Sequence, residues 1–386
     1  MRHSLQRSPS VPAVALAVLV LGTSACGDNT GPSQVPKGLA DCGASPMLTV
    51  SPIDVGSIRE LTPLGNLGPP AHTLPTDHLY FYAPFTGTRV EIPVVSPGDV
   101  VLSEVTKRTR LSGAPSVIEY SMTFFPCADL NLYFAHVVLT TELLTRIGAF
   151  GNCEQSSNGG NTFESCTKRI NLKLTAGSLI GTMGGDNGNT IDFGGYDRRV
   201  PPLPFINPAR SYGNGTEFGH NRTICPVDYF VPSVAAVLRA KFSGLFGKRT
   251  IEPLCGTIMQ DLPNTAQGRW FFNESVQDDA HLALVHDNVD PRIAVISVGT
   301  SIPSLPTRYW GFTPAASGRV NADFPRVTAD GLTYCYQTFV GATSPIRHVL
   351  IQLISAMRVR IEGFTGALCG DPSTWAFTAG AREFAR

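Results

Sequence analysis

The hydrophobic and polar positions of this chain alternate in short runs, a pattern typical of β-strands. From Met47 onward, β-branched and aromatic runs are separated by Gly, Pro and Asn. In the first half of the chain, the predicted strands are residues 79–82, 90–95, 99–106, 117–125, 132–140, 169–174 and 179–183. In the second half they are residues 270–272, 282–286, 293–297, 333–339, 349–354 and 358–361. The pattern therefore predicts a mainly β fold.

One segment of the second half has the spacing of an amphipathic helix. Apolar or long side chains recur three and four positions apart, at Val234, Val237, Leu238, Lys241, Phe242 and Leu245. Pro232 and Ser233 are a plausible start signal and Gly247 a stop signal. The sequence thus predicts a helix over residues 234–246. The start of the segment 349–361 is ambiguous between strand and helix.

Composition limits the function and suggests the domain organisation. Lys and Arg together number 30, as do Asp and Glu, so the net charge is zero and we expect no nucleic-acid partner. The 38 Gly and 30 Pro residues suit a turn-rich β fold. Because residues 200–211 are rich in Pro, we predict a link at 201–211 between a domain at 45–200 and a mainly β domain with one helix at 212–386.

The first residues are expected to be a targeting segment, residues 1–25. A basic start precedes an apolar run at residues 11–21, which is shorter than the roughly 20 residues of a spanning helix. Cleavage before Cys26 suits either an ordinary signal peptidase or a lipoprotein peptidase that leaves Cys26 lipidated. The polar residues 26–44 would then be a flexible tether. We expect a protein exported to a bacterial cell envelope, periplasmic or at the cell surface, with a lipid anchor at Cys26 in the membrane.

The cysteines support export into an oxidising compartment. Of nine Cys, removal of Cys26 leaves an even number, which indicates disulfides. Spacing alone does not fix their pairing. On the expectation of local loops, we predict the pairs Cys153–Cys166, Cys225–Cys255 and Cys335–Cys369, which leaves Cys42–Cys127.

Three segments in the first half have a specific order and spacing. They are residues 86–105 (TGTRVEIPVVSPGDVVLSEV), 132–139 (LYFAHVVL) and 172–196 (LKLTAGSLIGTMGGDNGNTIDFGGY). Together they resemble the lysostaphin-type (M23) zinc endopeptidase domain. The best-matching positions are Ala176-Gly177, Ile180-Gly181, Gly184-Gly185 and Thr190-Ile191-Asp192-Phe193. The resemblance implies an antiparallel β domain with a catalytic groove over residues 45–200.

The positions that carry chemistry depart from that family. Its zinc is held by two His and one carboxylate, and the metal polarises the carbonyl and activates water. Here Thr76 and Tyr80 stand at the first His and Asp positions, and Thr190-x-Asp192 replaces His-x-His. Only His136 matches a family histidine, the one that assists the reaction. The resemblance therefore implies a scaffold without its metal ligands, so we expect neither a metal nor catalysis, and His136 is catalytic only if the domain is active.

The polar side chains of the expected groove leave three functions open. The groove residues are His72, Asp77, His78, Tyr80, His136, Thr190 and Asp192. The first hypothesis is a non-catalytic envelope protein that binds cell-wall or related glycan or peptide. The alternative is a zinc metalloendopeptidase, acting on peptidoglycan or protein, with a rearranged site built from His72, His78 and Asp192. The third is a structural or assembly component, in which His72 and His78 only cap turns or bond the backbone and His136 is a half-buried strand histidine satisfied by a neighbour.

Overall fold

The computed structural model is mainly β, with 42% of residues in strands and 11% helical, which confirms the predicted fold class. It describes residues 35–44, 46–84, 91–112, 118–158, 161–185, 188–211, 216–275, 278–340 and 347–386. The predicted targeting segment, Cys26 and the first part of the tether lie outside the described residues. Within these ranges no helix combines the length and the apolar character needed to cross a membrane.

The first half of the chain forms a large antiparallel sheet. Its strands are β1 (Glu60–Thr62), β2 (His78–Tyr82), β3 (Pro93–Val95), β4 (Val100–Arg110), β5 (Ile118–Cys127), β6 (Leu130–Leu139), β7 (Gly151–Asn158), β8 (Asn161–Leu174), β9 (Leu179–Met183) and β10 (Thr190–Asp197). The spatial order is β1-β2-β10-β6-β5-β4-β8-β7, and β9 pairs with both β6 and β3. The last strand of this sheet in sequence, β10, therefore lies inside the sheet, between β2 and β6.

The two faces of β2, β10 and β6 have opposite character. Successive side chains of a strand point to opposite faces. One face carries buried apolar residues that belong to the main core: Leu79, Phe81, Leu132, Phe134, Ile191 and Phe193. The other face carries His78, Tyr80, Tyr133, Thr190 and Asp192, in register across the three strands. All of these except Tyr133 are also buried, so this polar face is covered by protein.

A short helix, α1 (Thr141–Ile147), follows β6 and was not predicted. The hydroxyl of Thr140 accepts a hydrogen bond from the Leu143 amide, which caps its start, and Gly148 ends it with a φ of 79°. The sequence pattern misses this helix because it places Thr140, the capping residue, at the end of the preceding strand. A helix of two turns is also too short to establish a clear period.

Two smaller antiparallel sheets follow in the second half. A short hairpin, β11 (Ser243–Gly244) and β12 (Gly247–Lys248), precedes them. The first sheet consists of β13 (Gly268–Trp270), β14 (Leu282–His286), β15 (Ala294–Val298) and β16 (Arg308–Phe312). The second consists of β17 (Tyr334–Tyr336), β18 (Arg347–Ser355), β19 (Arg358–Thr365) and β20 (Arg382–Ala385). Each sheet pairs its strands in chain order. The ambiguous segment 349–361 therefore lies in strands, with no helical start.

The predicted helix exists, but its end was placed too late. Helix α2 (Pro232–Arg239) stops before the predicted residues 240–246, and the chain then turns into the β11–β12 hairpin. Leu245, counted as a core position by its spacing, is 83% exposed at the tip of that hairpin. Gly247 adopts a φ of 96° there, so it belongs to the hairpin turn and does not end the helix.

The apolar side chains divide into two main cores. The first core includes Phe205 of the Pro-rich link and residues beyond it, such as Val227 and Leu238, and extends to Ile258. The second begins at Ala266 and runs to Phe384. The division between the cores thus falls after the link predicted at 201–211, because α2 and the residues around it pack on the first sheet.

Four disulfides join the cysteines in the predicted pairs. They are Cys42–Cys127, Cys153–Cys166, Cys225–Cys255 and Cys335–Cys369. Persistent disulfides of this kind indicate an oxidising, exported environment. The Cys225–Cys255 bond ties the segment before α2 to the segment that contacts Pro63 and Leu64, just after β1.

Gly194 in β10 provides a test of packing on the polar face. A Cβ at this position would overlap the Tyr133 ring, which crosses the strand there. We predict that Gly194→Ala lowers the free energy of unfolding by about 1–3 kcal/mol, because the ring must move. Gly151→Ala is the matched control, since nothing lies within 4 Å of its added Cβ. Chemical denaturation measures both variants, and equal losses would contradict this packing.

Candidate functional site

The site begins where β2 starts beside β10. The Nδ1 atom of His78 lies 3.0 Å from Oδ1 of Asp77, and its Nε2 lies 3.5 Å from Oδ2 of Asp192. Asp192 is directly opposite Tyr80 on β2 and Ala135 on β6. The pairing of three strands thus brings a histidine and a carboxylate from distant parts of the chain onto one buried face.

A β-bulge adds His136 to this group. Tyr120 pairs with Val137 and Met122 with Phe134, so Ala135 and His136 together oppose a single residue of β5. His136 has a φ of 62°, a left-handed conformation that is uncommon for residues other than Gly. Without the extra residue, His136 would share the apolar face of Phe134. The bulge turns its imidazole towards Asp192 instead.

Seven charged or titratable side chains then form one continuous series. The Nε2 of His136 lies 3.3 Å from Oδ2 of Asp192, the same oxygen that His78 faces, and its Nδ1 lies 2.8 Å from Oε2 of Glu119. Acid and base alternate along the whole series, which is His220, Asp77, His78, Asp192, His136, Glu119 and Arg108. Each imidazole at its centre lies between two carboxylates.

Two tyrosines hold Asp77 at one end of this series. The hydroxyl of Tyr133 donates to Oδ1 of Asp77 at 2.9 Å, and the hydroxyl of Tyr196 donates to its other oxygen. The Nε2 of His220 lies 3.1 Å from that second oxygen. Although burial favours the neutral acid, His220 and, to a lesser extent, His78 keep the pKa of Asp77 well below its usual range. Asp77 is therefore a fixed anion behind His78.

The imidazoles of His78 and His136 are electrostatically tied to Asp192. Burial disfavours their charged forms, but the carboxylates outweigh it and raise the pKa of His78 and, further, that of His136. In turn, although burial opposes ionisation, the two imidazoles lower the pKa of Asp192 to about 2. Positive charge, whether protons or a cation, is thus required between these three side chains.

His72 approaches the group from the loop that precedes β2. Its ring centroid lies 5.5 Å from that of His78, in an edge-on arrangement. Burial and the neighbouring charge of His78 lower the pKa of His72 to about 4. Its imidazole is therefore neutral at pH 7 and keeps a lone pair available for a ligand.

The group has features that fit a divalent cation. The Nε2 of His78 and Oδ1 of Asp192 are buried and make no hydrogen bond. Such orphaned atoms are rare in proteins unless a ligand or ion completes them. The two distances of 3.3 and 3.5 Å to Oδ2 of Asp192 resemble the separation of about 3.3 Å between donors around a tetrahedral ion with bonds of about 2.0–2.1 Å.

One distance in the group is longer than a bound ion would allow. Among the described residues, the only three donors that lie mutually within 4.8 Å are those of Cys153, Glu164 and Cys166, and both cysteines are in a disulfide. The Nε2 atoms of His78 and His136 are therefore more than 4.8 Å apart. To bind one metal ion, the two imidazoles would have to move towards each other.

Most residues expected in the groove do come together. His72, Asp77, His78, Tyr80, His136 and Asp192 form one group. Thr190 lies on the same face, opposite Tyr82, but outside the charged series. The rearranged metal set predicted from sequence, His72, His78 and Asp192, omits His136, which is closer to Asp192 than His78 is.

Sequence reasoning missed several partners of the group. Glu119 is on the neighbouring strand β5, and its contact with His136 depends on the bulge, while Arg108 on β4 reaches the group only through Glu119. His220 comes from beyond the Pro-rich link, where no local pattern points to Asp77. Tyr133 and Tyr196 had a detectable signal, since both alternate onto the polar face with Asp192.

Comparison of the chain with protein-family models, with curated proteins and with solved structures finds no match. The arrangement of these side chains is therefore the evidence on which a function rests.

A carboxyl group from the second half of the chain holds the loop that carries His72. Oδ2 of Asp278 accepts a hydrogen bond from the Thr73 amide at 2.7 Å. Burial raises the pKa of Asp278 to about 7, although bonds from the Thr73 and Leu74 amides oppose that rise. The carboxyl is thus partly protonated near neutral pH.

This pKa predicts how stability depends on pH. Because the pKa of Asp278 is higher in the folded than in the unfolded chain, the folded state binds more protons between about pH 4 and pH 7. The contribution of Asp278 to the free energy of unfolding therefore falls as the pH rises through that range. Asp278→Asn keeps an acceptor oxygen but cannot titrate. We therefore predict that its free energy of unfolding exceeds that of wild type by about 1–2 kcal/mol at pH 8 and by little at pH 4.

Denaturation curves at several pH values measure this difference. The exposed carboxyl of Asp41 provides the control, as Asp41→Asn. A pH-independent difference between wild type and Asp278→Asn would show that Asp278 does not titrate in this way.

Proposed function

We propose that this chain is an exported bacterial envelope protein whose first sheet holds a divalent cation, with zinc the best fit, and hydrolyses peptide bonds of cell-wall or protein substrates. One observation carries the proposal. Two imidazoles, each held through Nδ1 by its own carboxylate, direct their Nε2 atoms at the same oxygen of Asp192. Histidines that bind metals in proteins have this kind of carboxylate support.

His78, His136 and Asp192 would hold the ion, with His72 beside them. Asp77 and Glu119 accept hydrogen bonds from the Nδ1 atoms, which fixes both rings with Nε2 towards Asp192, so a cation that replaces the Nε2 protons would meet both nitrogen lone pairs there. When bound, a divalent cation supplies Lewis-acid polarisation of a substrate carbonyl. The alternating acids and bases behind the imidazoles keep both rings in orientation.

Tyr80 is a buried phenol beside the cluster. Its ring centroid lies 4.7 Å from that of His78, on the same face. Burial and the charge of Asp192 raise its pKa well above the usual value, so the phenol keeps its proton. A protonated hydroxyl beside the cluster can stabilise negative charge that develops on a substrate oxygen.

The tyrosines of β2 continue from the cluster towards the surface. Tyr82 stacks on Tyr80 with centroids 6.0 Å apart, and the Arg59 guanidinium lies 5.6 Å from its ring centroid. An aromatic and cationic edge of this kind suits a peptide or a sugar ring. Together with the resemblance to lysostaphin-type peptidases, it favours wall peptides as substrates, and a lipid on Cys26 would hold the protein at the membrane.

A second candidate is the non-catalytic binding of the same wall material. It is favoured by the residues Thr76, Tyr80 and Thr190, which occupy positions where the resemblance places zinc ligands and a catalytic His. In that case His78 and His136 hold protons in place of an ion, and the charge of the group is balanced internally. The two candidates differ in metal content and in cleavage.

Metal content is the first test. We predict that the purified full-length chain, loaded with zinc and then dialysed, retains about one zinc ion per chain. Elemental mass spectrometry measures this content. His136→Ala and Asp192→Asn should each weaken zinc affinity by at least about tenfold, because each removes a donor. His348→Ala is the control, since His348 lies in β18 and stacks on Phe364, far from the cluster in the fold. A wild-type chain that retains no metal would exclude the first candidate.

Cleavage of wall material is the second test. We predict that the zinc-loaded chain releases peptides from purified wall fragments, and that Asp192→Asn slows their release by about 100-fold or more. Mass spectrometry of the soluble products measures this, with His348→Ala again as the control. Binding of the fragments without any cleavage would support the second candidate instead.

A further inference from the structure

The loop that carries His72 is a narrow hairpin between β1 and β2. The Gly65 amide donates to the Thr76 carbonyl at 2.8 Å. The Gly68 amide donates to the His72 carbonyl at 2.8 Å, and the His72 amide donates to the Gly68 carbonyl at 3.0 Å. His72 is thus placed near the tip of the hairpin, and Asp77 follows at its end. The position of these two side chains depends on what holds the hairpin as a whole.

The base of the hairpin is bound by residues from the second half of the chain. The Leu64 amide donates to the Cys255 carbonyl at 2.9 Å, and the Asn288 side chain donates to the Pro63 carbonyl at 2.8 Å. Leu64 also bridges to Gly256. Cys255 is fixed in turn by its disulfide to Cys225.

Two glycines let these backbones touch. A Cβ on Gly65 would overlap the Thr257 carbonyl oxygen, and one on Gly256 would overlap the Leu64 carbonyl oxygen. Both glycines also have positive φ, 84° and 74°. Direct backbone packing of this kind allows little movement at the base of the hairpin.

The other side of the hairpin is bound by Asp278 and His220. Asp278 accepts the Thr73 amide at 2.7 Å, next to His72, and Thr73 is fully buried. His220 lies 3.1 Å from Asp77, at the end of the hairpin. The segment with His220 is attached to β10 through a bridge between Tyr196 and Thr223. The hairpin is therefore held on both sides by residues that follow the Pro-rich link.

We propose that the part of the chain after residue 211 positions the site, with Asp278 and His220 as positioning residues that hold the His72 hairpin against His78 and Asp192. This rests on the proposed function insofar as the cluster binds a cation. Asp278 touches no donor of the cluster, and it acts through the Thr73 and Leu74 amides. The loop between β13 and β14, which carries Asp278, and the segment around His220 thus contribute to the site without supplying a metal ligand.

The consequence of losing Asp278 follows from its contacts. Without the carboxyl, the buried Thr73 amide has no acceptor, and a buried unpaired donor drives the backbone to rearrange. His72 moves with it because the two residues are adjacent. Loss of such supporting residues commonly weakens metal affinity by about 10- to 100-fold.

Amide hydrogen exchange and zinc affinity of full-length variants test this proposal together. We expect Asp278→Ala to increase exchange in residues 65–77 and to weaken zinc binding, measured by competition with a chelator, by about tenfold or more. Asp278→Asn, which keeps the acceptor, should restore both. Asp279→Ala is the matched control, because the described contact of Asp279 with residue 300 is through its backbone. His220→Ala, at a half-buried position, provides a second variant if Asp278→Ala does not fold.

The outcomes separate the two proposals. Unchanged exchange and unchanged zinc affinity in Asp278→Ala, or in His220→Ala if that is the variant that folds, would overturn the positioning role. If the wild-type chain binds no zinc, the proposed function fails, and exchange in residues 65–77 still decides whether Asp278 holds the hairpin. Increased exchange with unchanged zinc affinity would also contradict the inference, since the hairpin would then not set the site.

Discussion

The structure around the site depends on the compensation of three buried carboxylates, Asp77, Asp192 and Glu119. An uncompensated charge in a protein interior is very costly, so each of these groups must face a positive partner. Imidazoles fill the spaces between them, and Arg108 and His220 close the two ends. In the proposed function, a cation would replace the protons at the Nε2 positions and preserve the charge balance that keeps this face folded.

The fold meets this requirement through strand pairing and one local distortion. β10 lies between β2 and β6, so Asp192 has neighbours on both sides. The bulge at His136 then turns a side chain from the apolar face onto the polar one. Holding a non-Gly residue at positive φ costs on the order of 1–3 kcal/mol, and such strain persists where the surrounding structure enforces it. Here the strained conformation places the His136 imidazole between the carboxylates of Glu119 and Asp192.

Sequence analysis predicted the β class, most strands and three local disulfides, because alternation and local loop closure are encoded over short distances, and the fourth disulfide, Cys42–Cys127, followed as the remaining pair. It selected His72, His78, His136 and Asp192 as groove residues, but it could not predict how they meet. The side of the sheet that His136 faces depends on a bulge that no spacing reveals, and Glu119 and His220 enter through pairings between distant segments. The end of α2 was misplaced for a similar reason, since the exposed Leu245 has the spacing of a core residue.

The central claim is that His78, His136 and Asp192 form a cation site supported by Asp77 and Glu119. Crystals of the zinc-loaded chain, measured on both sides of the zinc absorption edge, test it most directly. The account predicts an anomalous peak about 2 Å from the Nε2 atoms of both histidines and from an oxygen of Asp192, with the imidazoles drawn closer together. An empty cluster with zinc elsewhere, or no anomalous peak at all, would contradict it.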